Sequence, residues 1–488
     1  MPYMTISAIN LAIDHIAATY PAITSVSNLP NRSVENRDIK QLKIANGSGA
    51  NRAGVLFLGG THARELVNPE AVLAFALKLC DAYVNGTGIA FGPKTYSSTT
   101  VKQLVDVLDL FLIPLVNPDG RNHCMVAGGD PMWRKNRSTN AGSACRGVDL
   151  NRNSDFLWPS GIGTSSGACS DIFKGPTAFS EPETRNVKAV LDANPNIASM
   201  IDIHSYSELV LYPWGDDDTQ TGDPNQNFQN PAFNGQRGVT MSGYAEYMPP
   251  GDLEDFVRVA ERIRDGIAAV RGHAYTVQPS VQLYPTSGTF KDYAYSRHYV
   301  DTGLRRVLAF TLETGLQFQP GDAEKDQIIE EVGPGLVECM LDTMCPGDVV
   351  ADLLDAIFPM RMMRAFREQN MRSSASGTRY MALLGRHRRE LVQLVLKRKP
   401  ARSAAKAALE VAAKLTEKPS AKISAEDTRK IMGAFDETRP FASKDLKAAF
   451  AELEKEIKLV EGQTLSGALV SLDKYFEQQR KATVKRRT

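Results

Sequence analysis

Apolar residues recur at helical spacing over 7–19 and then change to strand-like patterns over 23–28 and 38–45, with the polar turn 31–37 between them. Val55-Leu-Phe-Leu58 is an apolar run short enough for a buried strand, and Gly59 and Gly60 stop it. Pro69 suits the first turn of a helix over 69–84. Leu108 to Val116 reads as another strand, broken late by Pro114, and Asn117-Pro-Asp-Gly120 has the composition of a turn. Residues 121–180 are rich in Gly, Ser, Asn and Arg and show little periodicity; so long an irregular stretch inside a compact unit is usually functional. A helix over 181–193, a strand from Ile197 ending at His204, a polar insertion over 216–251, a helix over 252–271, a strand over 307–312 and a helix over 324–344 follow. Strands alternating with helices predict an α/β fold, its largely parallel sheet covered on both faces.

Beyond residue 345 the pattern becomes purely helical, punctuated by Pro400, Pro419 and Pro440. Leu446, Phe450, Leu453 and Ile457 form one apolar stripe. Charge changes at the same place. Residues 346–488 hold 29 Lys and Arg against 18 Asp and Glu, whereas 1–345 hold 28 against 38. The near-neutral total therefore conceals an acidic first unit, 1–345, and a basic helical extension, 346–488, with the break near Pro346-Gly347. From Arg361 to Lys399 there are eleven basic residues and two acidic ones. A solvated helical bundle is the expectation for this extension. A module docked on the acidic unit, or a basic surface for nucleic acid or anionic lipid, are the alternatives.

The remaining totals exclude some classes. No apolar run approaches the roughly 20 residues that span a bilayer. The N-terminus lacks a basic stretch followed by an apolar core, so no secretory signal is expected; this favours the cytoplasm, with secretion by another route as the alternative. Six cysteines in 488 residues do not make a disulfide scaffold. Cys145 and Cys169 flank a Gly/Ser-rich loop and either pair or stay free; the residues alone leave both open.

The candidate chemistry lies at strand ends. His62 and Glu65 follow the 55–58 strand at once, His204 ends the 197–203 strand, and Glu313 follows the 307–312 strand. In open α/β sheets, ligands bind beyond the carboxyl ends of the strands. Two imidazoles and a carboxylate are a donor set that Zn2+ accepts, with one place left for water. A fourth carboxylate beside that water suits a general base. Arg64, Arg134, Arg137 and Arg152 gather in the same part of the chain, and guanidinium binds carboxylates through paired hydrogen bonds. Any one of these residues by itself is more simply a satisfied core histidine or a solvated arginine.

Together they carry a resemblance. The chain resembles the zinc metallocarboxypeptidases of the carboxypeptidase A/B type over about residues 5–345. The matching pieces, in the family's order, are His62-Ala-Arg-Glu65, Asn117-Pro-Asp-Gly120, Trp133-Arg-Lys135, Gly147-Val-Asp-Leu-Asn-Arg-Asn153, His204-Ser-Tyr206, Tyr284-Pro-Thr-Ser-Gly288 and Glu313-Thr-Gly315. The resemblance implies a three-layer α/β/α fold with a mixed, mostly parallel sheet, and one Zn2+ per chain held by His62, Glu65 and His204. It implies Glu313 as general base, Arg134 as oxyanion stabiliser, Asn151, Arg152 and Tyr284 as a clamp on the substrate's terminal carboxylate, and Arg64 as a subsite residue. It also implies a Cys145–Cys169 bridge. Many relatives carry an inhibitory pro-domain; no block of that size precedes the matching region here, so activity without processing is the expectation.

The expected partners are the C-termini of peptides or proteins. Lys291 aligns with the floor of the side-chain pocket, where relatives that cut after basic residues carry Asp and those preferring apolar ends carry an aliphatic residue. A buried ammonium wants a carboxylate, so the expectation is a preference for acidic C-terminal residues, with pairing to Asp216, Asp217 or Asp218 as the plainer alternative. Two other functions remain: a zinc amidohydrolase acting on cell-wall peptides, and a non-catalytic peptide-binding protein.

Overall fold

The computed structural model describes residues 3–47, 52–344 and 374–485, with single residues between 363 and 371. The chain divides into two compact units, the first formed by residues up to Thr343 apart from short segments around 49–52 and 249–255, the second chiefly by 344–488. The charge break expected at Pro346-Gly347 lies outside the described residues.

The first unit opens with α1 (Ile6–Thr19), whose N-terminus is capped by the Thr5 side chain and whose Ile9, Ile13 and Ile16 share one buried face. β1 (Thr24–Asn28), β2 (Lys40–Ile44) and the fully buried β3 (Ala53–Leu58) follow. α2 (Asn68–Val84) carries Pro69 in its first turn. A small hairpin of β4 (Ile89–Phe91) and β5 (Lys94–Tyr96) precedes α3 (Ser98–Val107) and β6 (Leu108–Ile113). Then come α4 (Pro118–Met125), α5 (Pro182–Ala193), β7 (Ile197–His204) and β8 (Leu209–Tyr212). The insertion contains the short pair β9 (Thr219–Gln220) and β10 (Glu246–Tyr247). α6 (Pro250–Arg271), β11 (Thr276–Pro279), α7 (Phe290–Val300), β12 (Leu308–Glu313) and α8 (Asp322–Thr343) complete it.

Eight strands form one mixed sheet in the order β1-β2-β6-β3-β7-β12-β8-β11, with helices covering both faces. β6, β3, β7 and β12 are mutually parallel; β1 and β2 extend the sheet antiparallel on one side, and β8 pairs antiparallel with β12 on the other. Central strands covered on both faces read as unbroken apolar runs, which is why β3 and β6 are legible in the sequence. The shorter β8 and β11, and helices α3 and α7, are not among the predicted elements, although α3 carries Val101, Leu104 and Val105 at helical spacing and β8 is a short apolar run, Leu209–Tyr212. Asn117-Pro-Asp-Gly120 is not a turn between elements. Asn117 caps α4, accepting from the Gly120 amide at 2.9 Å, and Pro118 occupies the first helical position. No described helix is long and apolar enough to cross a membrane.

The second unit holds α9 (Ala375–Lys397), α10 (Lys399–Glu417), α11 (Ala425–Thr438), α12 (Lys444–Leu459) and α13 (Leu465–Lys485). Ser374, Ser424 and Ser443 cap α9, α11 and α12, and Asp427 completes a capping box on α11. Pro400 lies in the first turn of α10, and Pro440 in the short turn joining α11 to α12. Leu446 and Phe450 pack with Leu394 and Ala442, and the Phe435 and Phe450 rings stack at 4.9 Å.

Candidate active site

Adjacent parallel strands bring the distant residues together. β3, β7 and β12 lie side by side, Leu58 opposite Asp202 and Glu313 opposite His204. Gly60, at φ +64°, turns the chain at the end of β3; a Cβ there would meet Leu115 at 2.8 Å and Pro69 at 3.0 Å, so only glycine fits. His62 and Glu65 leave β3 at the same edge of the sheet at which His204 and Glu313 end their strands.

One ligand atom from each of His62, Glu65 and His204 lies within 4.8 Å of the others, and all three residues are buried. The two Nδ1 atoms face each other at 3.0 Å, with Glu65 at 2.8 Å from His62 and 3.1 Å from His204. Asp202 holds His204 Nε2 at 2.7 Å, and Asp149 lies 3.2 Å from His62 Nε2. Each imidazole is thus oriented by a carboxylate on its outer nitrogen and turns its inner nitrogen to a common point, which is the donor set and support a zinc ion requires. Burial pushes the Glu65 carboxyl up, but His62 and His204 outweigh it and hold the group well below its ordinary range. Asp149 is likewise kept ionised against its burial, by Arg134, Arg152 and His62.

Glu313 shares a cavity of about 290 Å³ with His62, Glu65, Arg134, Asn151, Arg152 and Tyr284. Burial raises its carboxyl to about 8, with His204 and Arg134 working against the shift and Glu65 with it. The Arg134 guanidinium is fixed by Asp149, Nε and Nη2 both 3.0 Å from Oδ2. Arg152 donates from Nε to the Gly163 carbonyl at 3.1 Å and from Nη1 to the Asn151 carbonyl at 2.8 Å. Its backbone lies against Gly288, where a Cβ would come within 2.3 Å of the Arg152 carbonyl oxygen and φ is +72°. This close approach sets the Tyr284–Gly288 loop beside Arg152, whose guanidinium carbon sits 5.8 Å from the centre of the half-exposed Tyr284 ring. The Asn151 side chain accepts from the Phe290 amide at 3.0 Å.

Arg64 lines the same cavity, 4.3 Å over the Phe318 ring, with Asp171 at 3.3 Å. Both Arg64 and Arg152 also border a wider cavity of about 1090 Å³ walled by the 157–172 loop and by 234–239 of the insertion. Arg137 stands apart, 3.7 Å from Glu35 and 4.8 Å over Trp133. Lys291 borders neither of these cavities. It is 1% exposed, its ammonium is paired with Asp292, Asp216 acts on it electrostatically, and burial lowers its pKa. Cys145 and Cys169 form a disulfide that closes the loop 146–168, just ahead of Asp171 and Ile172.

Asp149 and Asp202 were not singled out by reading the sequence, although a signal exists for one. Asp202 lies two residues before His204 on one strand, so both side chains share a face. Asp149 reaches His62 from an irregular segment, which no local pattern foretells.

The chain belongs to the zinc carboxypeptidase family, whose match runs over residues 9–332. It is 37% identical over 221 residues to a carboxypeptidase B of Helicoverpa zea, covering 44% of this chain and 47% of that protein. With a carboxypeptidase A2 of Mus musculus the identity is 30% over 315 residues, covering 64% and 63%. With a carboxypeptidase B of Astacus astacus it is 31% over 313 residues, covering 62% and 87%. The crystal structure of a carboxypeptidase A from Helicoverpa armigera superposes with a TM-score of 0.54 at 26% identity, over 69% of this chain and 72% of that one. The chain thus spans about half to two thirds of the length of the first two of these relatives.

Proposed function

We propose that this protein is a zinc-dependent exopeptidase that releases the C-terminal residue of peptides or proteins. The observation that carries the reading is the convergence of His62, Glu65 and His204 on one point, in a single cavity with Glu313 and three groups suited to a carboxylate. Zinc, when bound by the triad, supplies Lewis acidity to a water and to the scissile carbonyl. Glu313, partly exposed to this cavity, takes the proton of the attacking water and passes it to the leaving amine. Arg134, held by Asp149, presents fixed positive charge where the oxyanion develops, and such preorganised charge is commonly the largest catalytic contribution. Asn151, Arg152 and Tyr284 clamp the substrate's terminal carboxylate. An internal peptide bond brings no such charge and leaves a buried guanidinium unpaired, which favours cleavage at the end. Arg64, over Phe318, contacts the residues upstream of the scissile bond.

The finer reading, a preference for acidic ends, rests on Lys291. It is a buried ammonium that lies outside both cavities and is already paired with Asp292, so an Asp or Glu side chain of the substrate engages it only by displacing that partner. The disulfide supports residence in an oxidising compartment over the cytoplasm. The intact clamp favours a plain C-terminus over cell-wall amides, and an intact Glu313 favours catalysis over mere binding.

The test is mass-spectrometric readout of a peptide library. Single residues should leave free C-termini and not amidated ones, Asp and Glu ends fastest, and Glu313→Gln should lower the rate by about 10³-fold with zinc retained. Fastest release of Lys or Arg would overturn the acidic preference alone. Absence of any terminal release by the zinc-loaded protein would overturn the exopeptidase itself.

A further inference from the structure

We propose that the second unit, residues 374–485, binds a single long alkyl chain with an anionic head. Two cavities run between its helices. The larger, about 410 Å³, is walled by Val411 and Leu415 of α10, Ile431 of α11, Ile457 of α12 and Leu472 of α13. The smaller, about 310 Å³, is walled by Leu384 and Leu391 of α9, Ala434 of α11 and Phe450 of α12. Tyr380, Phe435 and Leu453 border both, so the two spaces adjoin along the core of the bundle.

The walls select the occupant. Among the described residues, Glu456 is the one charged side chain bordering the larger cavity, and its carboxylate is already engaged by Arg379 at 2.9 Å and Tyr380 at 2.8 Å. A peptide would bring backbone amides and carbonyls that find no partners there. A helix, about 10 Å across, has no room. A nucleotide or sugar needs several polar partners, and the walls do not supply them. An alkyl chain needs none. At about 30 Å³ per methylene, close to a water's share of liquid volume, the larger space takes about twelve to fourteen carbons. The space is partly open, and an alkyl chain lying in it gains dispersion contact along the apolar lining side chains. An anionic head is the favourable one, because the unit itself carries 23 Lys and Arg against 14 Asp and Glu over 374–485.

The full-length protein is titrated calorimetrically with myristate below its micellar concentration, and in parallel with hexanoate, tetradecanol and tetradecyl-trimethylammonium. The expected result is one myristate per chain at micromolar Kd, hexanoate at least 100-fold weaker, and the cationic amphiphile weaker than myristate. Ala468→Phe and Ala412→Phe, which fill the larger cavity from α13 and α10, should each weaken myristate at least 10-fold with helix content retained. If one of the two fails to fold, the other gives the answer. Absence of myristate binding, or binding unchanged in a folded filled variant, would overturn the site. Equal or tighter binding of the cationic amphiphile would overturn the anionic head. Because peptide release is not the readout, this outcome is independent of the exopeptidase reading.

Discussion

The two units use buried charge in opposite ways. In the first, His62, Glu65, Asp149, Arg134, Asp202, His204 and Glu313 lie within a few ångströms of one another, nearly all out of solvent. Burying charge costs several kcal/mol per ion unless neighbours compensate, so His62, Glu65, Asp149, Arg134, Asp202 and His204 each have a bonded partner, and the partners are themselves held. In the second, buried charge is scattered and local. Glu456 takes Arg379 and Tyr380, and Asp427 takes Lys414 at 2.7 Å and closes a helix cap. The first arrangement keeps charge poised for chemistry; the second fixes helices around an apolar interior. Buried charge alone therefore does not mark a reaction centre. Convergence of several groups on one point does.

This contrast can be broken by changing one carboxylate on each side. Asp202→Asn removes the negative charge facing His204 Nε2, and zinc affinity should fall 10- to 100-fold, read by competition with a chelator, with the fold intact. Unchanged affinity would mean that the strand, not the carboxylate, orients the imidazole. Glu456→Gln in the second unit should instead cost about 1–2 kcal/mol of stability in denaturant and leave peptide release unaltered, since its charge only holds Arg379 and Tyr380. A change in release rate would show that this charge is not merely structural.

The smallest effect concerns the insertion. Asp216 and Glu246 are fully buried; burial, with Glu246 second, raises Asp216, and burial raises Glu246 to about 7. Their folded-state pKa values exceed the unfolded ones, so the native state binds more protons between about pH 4.5 and 7. Stability from this pair is present below that window and is lost as pH rises through it. The melting temperature should fall by a few degrees between pH 5 and pH 8, and Glu246→Gln should flatten that slope. A slope unchanged in the variant would place the proton elsewhere.

The sequence by itself determined the sheet's central strands, the helical second unit and the identity of the four strand-end residues. Its reasons are local: unbroken apolar runs for strands covered on both faces, proline and serine at helix starts, and functional side chains placed where strands stop. It did not reveal that Asn117-Pro-Asp-Gly120 starts a helix, because asparagine followed by proline suits a turn and a helix N-terminus equally. Tertiary structure decided what depends on side chains meeting from far along the chain. Asp149 reaches His62 across 87 positions, Gly288 packs on the Arg152 backbone, and Lys291 finds its carboxylate in the adjacent Asp292 rather than in the rim acids. Those choices are made by packing between elements, and no periodicity along the chain encodes them.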